Sequence, residues 1–70
     1  MNWLKTVGDN VRVIRRRRDI SQKALAVLVG TSQGYIADIE NATANPSLGV
    51  LIAIAKHLDI DLLRLFREKK

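Results

Sequence analysis

The chain has no cysteine, one proline, one histidine and a single tryptophan, tyrosine and phenylalanine in 70 residues. Without cysteine there is no disulfide to staple a small core and no thiolate to hold zinc. One histidine, His57, leaves no imidazole pair for a metal or a catalytic relay, and its place near a helix end suits a solvated side chain. No glycine cluster forms a phosphate loop. The nearest carboxylate pair, Asp59 and Asp61, is weakened as a catalytic candidate because Asp61 is better explained as a helix cap. The expectation is a protein that is not an enzyme and takes no cofactor, metal or small-molecule ligand. No apolar run approaches the roughly 20 residues of a membrane span. The opening MNWLKTVGDN also lacks the apolar stretch of a signal peptide. A cytoplasmic protein with no membrane partner is therefore expected, built as one domain over residues 1–70.

Charge is what the chain does have. Twelve Lys and Arg stand against seven Asp and Glu, a net +5 that favours an acidic partner. Six of the basic residues fall between Arg12 and Lys23, opposed only by Asp19, and none lies between Ala24 and Ala55. The basic surface thus belongs to the first helix and its exit.

Helical period is the other positive signal. Trp3, Leu4, Val7, Val11 and Ile14 step by three or four, predicting an amphipathic helix over about residues 3–18, interrupted by Gly8. Asp19 falls in a turn and Ser21 caps a second helix with Leu25, Leu28 and Val29 as its buried stripe. Gly30 suits the left-handed residue that ends a helix, and Ser32 caps a third, to about Asn41, with Tyr35, Ile36 and Ile39 inward. After the loop Asn41–Pro46, Ser47 caps a fourth helix with Leu48, Leu51, Ile54, Ala55 and Leu58 buried. Asp61 then caps a last helix carrying Leu62, Leu63, Leu65 and Phe66. No alternation of period two appears, so the expected fold is all-α, compact, with five short helices.

The stretch Gln22–Asn41 pairs two short helices across a tight turn, with small Ala26, turn residue Gly30 and β-branched Ile36 in its fifth, ninth and fifteenth places. It resembles the helix-turn-helix of the phage-repressor/Cro family of DNA-binding regulators, the XRE-like group. Flanking pieces extend the resemblance over roughly Val11 to Phe66: Arg15, Ile20-Ser21-Gln22, Ile39-Glu40-Asn41, Pro46-Ser47-Leu48, and Leu63 with Phe66. Two departures stand out. Ala42 occupies the place of a glycine that usually ends the third helix, so Asn41 or Ala42 must take that turn geometry. Asp19 replaces the glycine common before the second helix.

The resemblance implies a repressor-like domain that reads double-stranded DNA through Ser32, Gln33, Gly34, Ala37 and Asp38. Gln33 is the leading candidate, since its amide can pair with both N6 and N7 of adenine. Asp38 can accept from cytosine N4 or simply be solvated. Phosphate contacts are expected from Gln22, Lys23, Tyr35, Thr43, Asn45 and some of Arg16, Arg17 and Arg18, with at least one arginine only solvated. Arg15 and Glu40 are expected to form a structural ion pair tying the first helix to the third. A symmetric homodimer is expected through the C-terminal helix, with Leu62, Leu65 and Phe66 as its interface. The implied function is a sequence-specific transcription regulator of the phage-repressor or restriction–modification controller kind. Two alternatives stay open: a protein-binding module on the same fold, such as an antitoxin or an RNA polymerase adaptor, and non-specific nucleic-acid binding through the arginine run.

Overall fold

The computed structural model describes residues 2–68. Helix α1 spans Trp3–Arg17, α2 Gln22–Val29, α3 Gln33–Glu40 and α4 Leu48–His57, followed by a 3₁₀ turn, Leu62–Phe66. Each α-helix starts on a polar side chain that accepts a backbone N–H left over in the first turn. Asn2 Oδ1 takes that of Lys5 at 3.4 Å, Ser21 Oγ that of Ala24 at 3.0 Å, Ser32 Oγ that of Tyr35 at 3.1 Å and Ser47 Oγ that of Val50 at 3.2 Å.

The helix ends repeat one device. The N–H of Ile20 bonds the carbonyl of Arg15, Thr31 that of Ala26, Thr43 that of Asp38 and Ile60 that of Ala55, at 2.9–3.1 Å. This six-residue closure needs a left-handed residue just before the donor. Those residues are Asp19 (φ 55°), Gly30 (φ 84°), Ala42 (φ 61°) and Asp59 (φ 57°). Only one of the four is glycine. Of the two candidates for the third link, Ala42 takes the strained geometry while Asn41 stays at φ −90°.

Val7, Val11 and Ile14 of α1 meet Leu25, Ala26, Ile36, Ile39, Leu51, Ile54, Ala55, Leu58 and Leu65 in a single core. Gly8 lies at the crossing of α1 and α3. A methyl group there would fall on the carbonyl oxygen of Ile39 and lie 2.8 Å from that of Glu40. The residue that weakened the helix expectation is what lets the two helices touch.

Four expectations are corrected. The last element is a 3₁₀ turn, not a fifth α-helix. Asn10 is buried in α1 and its Nδ2 donates to the carbonyls of Leu65 and Arg67, both at 2.8 Å, and of Arg64 at 3.4 Å. These bonds take up the carbonyls on which a continuing helix would rely. Leu65 is 0% exposed, enclosed by its own chain, and so is not interface. On the 3₁₀ turn Leu62 and Phe66 are half-buried against the core on either side of Leu65, while Leu63 is 72% exposed. Leu28 is 48% exposed because α2 turns Leu25 and Ala26, and in part Val29, to the core. Leu48 is 61% exposed, being the first residue of α4, ahead of the turn that packs on the core. Among the described residues no helix is long and apolar enough to cross a membrane.

Candidate nucleic-acid interface

The carboxylate of Glu40, 1% exposed, is the point from which α3 is held. Arg15 Nε donates to its Oε2 at 2.7 Å and Arg15 Nη2 to its Oε1 at 3.1 Å, a two-pronged pair of the strong, oriented kind. Arg15 Nη1 also donates to the Ile20 carbonyl at 2.9 Å, which fixes the link into α2. Gln22 Nε2 donates to Glu40 Oε1 at 3.1 Å, so the first residue of α2 is tied to the last residue of α3. One acid thereby joins α1, α2 and α3.

Arg12 completes this cluster and was not singled out in the sequence. Its Nε lies 3.6 Å from Glu40 Oε1, and its Nη2 donates to the Glu40 carbonyl at 2.8 Å and to Asn41 Oδ1 at 3.3 Å. It covers the carbonyl end of α3, where a cation also meets the favourable end of the helix dipole. The available signal was its spacing: Arg12 stands one turn ahead of Arg15 on the same face of α1. Asn10, likewise missed, was visible as a polar residue on the apolar stripe between Val7 and Ile14.

Held in this way, α3 exposes one side. Ser32, Gln33, Gly34 and Asp38 are exposed, Ala37 and Tyr35 are half-buried, and Ile36, Ile39 and Glu40 face inward. The five candidate base-reading residues thus share the outer side of a helix whose opposite side is buried. Gly34 needs no explanation from the fold. A Cβ there would find only Ser32 Oγ, at 4.0 Å, whereas glycine costs a helix about 1 kcal/mol relative to alanine. Its bare backbone suits the close approach of something outside the chain.

Among the described residues the Asp38 side chain has only a long contact. Thr43 Oγ1 donates to its Oδ1 at 3.4 Å and to its carbonyl at 3.3 Å. Thr43 and Asn45 lie exposed in the α3–α4 link, next to the capped start of α4. Lys23, Arg16, Arg17 and Arg18 are exposed around the α1–α2 turn, flanking Gln22. Gln22 keeps its second amide hydrogen and its first-turn N–H outside the bond to Glu40, and both are groups that bind phosphate. The arrangement is a hydrogen-bonding helix face that carries one carboxylate, Asp38, and no cation, between a cationic shoulder and a polar loop.

Comparison with known proteins agrees with this geometry. A helix-turn-helix family profile matches residues 11–65. The immunity repressor protein of Bacillus phage phi105 is 39% identical over 64 residues, 91% of this chain and 44% of the repressor, so the chain spans less than half of that relative. The restriction-modification controller protein C.AhdI of Aeromonas hydrophila superposes with a TM-score of 0.87 at 33% identity, covering 90% of this chain and 96% of the controller. The P22 c2 repressor, solved in complex with a synthetic operator, superposes with a TM-score of 0.83 at 28% identity over 90% of this chain and 96% of its own. On the profile match and on this fold, the chain belongs to the helix-turn-helix family that includes phage repressors and restriction–modification controllers.

Proposed function

We propose that the protein is a sequence-specific, double-stranded DNA-binding transcription regulator that lays α3 in the major groove and acts as a homodimer. The observation that carries this reading is the outer side of α3. Gln33, Gly34, Ala37 and Asp38 are displayed on a helix whose base is locked through Glu40 to α1 and α2. A rigid support is what base readout needs, since a bidentate amide pair distinguishes bases only when its side chain is held in register. In this arrangement Gln33 pairs with adenine, Ala37 meets a thymine methyl and Asp38 accepts from cytosine N4. Gln22, Lys23, the exposed arginines, Thr43, Asn45 and the N-terminus of α4 position the helix on phosphates.

The proposed dimer surface keeps Phe66 of the expected set and takes Leu63 in place of the enclosed Leu65. Leu63 is exposed on the 3₁₀ turn, Phe66 is half-buried near it, and Trp3 lies against Phe66 with ring centroids 6.0 Å apart. Trp3, Pro46, Leu48, Leu51 and Phe66 line a groove of about 340 Å³ beside them. An apolar surface of this kind suits a two-fold contact that presents two reading helices to one side of a duplex.

Selection of bound fragments from a random duplex library at near-physiological salt tests the function. An inverted repeat with half-sites about one helical turn, roughly 10 bp, apart is the expected result. Salt-sensitive binding without enrichment would reduce the protein to a non-specific binder. No binding at all would favour a protein partner.

A further inference from the structure

Ile14, Arg17, Arg18, Ile60 and Arg64 enclose a cleft of about 310 Å³ between the last turn of α1 and the link that follows α4. We infer that this cleft is a binding site for a phosphoryl anion, separate from the DNA-reading side of α3. Three guanidinium groups line it, and none of them is in an ion pair among the described residues, whose ion pairs involve only Lys5, Arg12 and Arg15 as cations. Arg18 has one contact, its Nη2 reaching the Asp59 carbonyl at 3.5 Å, which is long for such a bond and leaves most of its donors unused. The floor is apolar: Ile14 is buried and Ile60 half-buried.

Like charges gathered over an apolar floor repel one another with less screening than in open water, and an anion between them removes that cost. Guanidinium forks match phosphate oxygens in pairs. A terminal phosphoryl group, with nearly two negative charges, also balances three arginines better than a single carboxylate does, whereas each phosphodiester of a DNA backbone brings one charge. The position is distinct from the loop contacts assigned to the operator, and although Arg17 and Arg18 stand among the exposed arginines assigned to its phosphates, Arg64 does not. The α4 helix of 10 residues separates the cleft from Thr43, Asn45 and Ser47 by about 15 Å. Arg64 also comes from the 3₁₀ turn, which carries none of the expected phosphate contacts.

The same chemistry has two sources, a free phosphorylated molecule or the DNA backbone beyond the half-site, and two arms separate them. In the first, the full chain is titrated with pyrophosphate at constant ionic strength while the backbone amides of Ile60 and Arg64 are followed by NMR. A free-phosphate site gives saturable shifts with a Kd of about 1 mM or tighter, at least tenfold weaker in Arg64→Gln and unchanged in Arg67→Gln. In the second, operator duplexes with long and trimmed flanks are compared. A backbone site makes Arg64→Gln lose affinity on the long duplex only, with the salt slope falling by about 1. The 3₁₀ turn is held through the backbone carbonyls of Arg64, Leu65 and Arg67, so Arg64→Gln keeps the fold. Success in either arm supports the site and names its source. Linear shifts shared by both variants, together with flank-independent DNA binding, overturn it. The pyrophosphate arm stands whether or not α3 reads an operator.

Discussion

Ala42 holds its backbone at φ 61°, where a Cβ costs roughly 1–2 kcal/mol, and the links at Asp19 and Asp59 place residues in the same region. Asp tolerates this conformation better than most residues; alanine has no such compensation. Ala42→Gly should therefore stabilise the protein by about 1 kcal/mol, read as a higher midpoint in urea or a melting temperature raised by roughly 4–8 °C. No gain would mean that the link relaxes at no cost. Glu40 gives the opposite case. Its carboxylate is buried with Arg15 and also bonded by Gln22, so Glu40→Ala leaves a buried guanidinium unpaired and should cost about 3–5 kcal/mol in denaturant unfolding. A loss below about 1 kcal/mol would show that the pair contributes little. A DNA-binding defect in this variant would report unfolding and not readout.

Among the elements, α1 shows what spacing conveys and what it omits. Its period identified Val7, Val11 and Ile14 as core, and they are buried. Its two irregularities, Gly8 and Asn10, were legible as exceptions on the stripe but not as contacts, because each is explained by an element far away in sequence: the carbonyl end of α3 and the 3₁₀ turn. Gly8→Ala separates the two explanations. Helix propensity alone predicts a gain of about 1 kcal/mol. A methyl group driven onto backbone carbonyls that cannot rotate away costs up to about 3 kcal/mol. The steric effect wins, so a net loss of about 1–2 kcal/mol is expected in thermal or urea unfolding, and a more stable variant would contradict the packing described. Capping residues were likewise legible, since Ser21, Ser32, Ser47 and Asp61 all act locally. Leu28, Leu48 and Leu65 were misplaced because period reports which residues share a side, not whether a neighbouring element covers it. The candidate site was visible through the spacing within Gln22–Asn41, whereas the part of Arg12 in holding α3 depends on a side chain crossing to another helix.

For the whole molecule, the core is small, and among the described residues apolar surface is left exposed at Trp3 and Leu63 as well as at Val27, Leu28, Leu48 and Ile52. Leu63→Asp should leave the stability of the protomer within about 0.5 kcal/mol, because the side chain already faces water. It should also hold the protein monomeric, by sedimentation equilibrium, at concentrations where the parent chain associates. Unchanged association would move the dimer contact elsewhere. The central claim, that α3 reads bases from a rigid support, is tested most directly by measuring Gln33→Ala on a panel of singly substituted operator duplexes across a range of salt. Gln33 is exposed and outside the Glu40 cluster, so the fold stays intact. Relaxed preference at one base position, worth about 1–3 kcal/mol, is expected, with the salt slope nearly unchanged. Equal weakening on every duplex, with the preference at each position preserved, would contradict it.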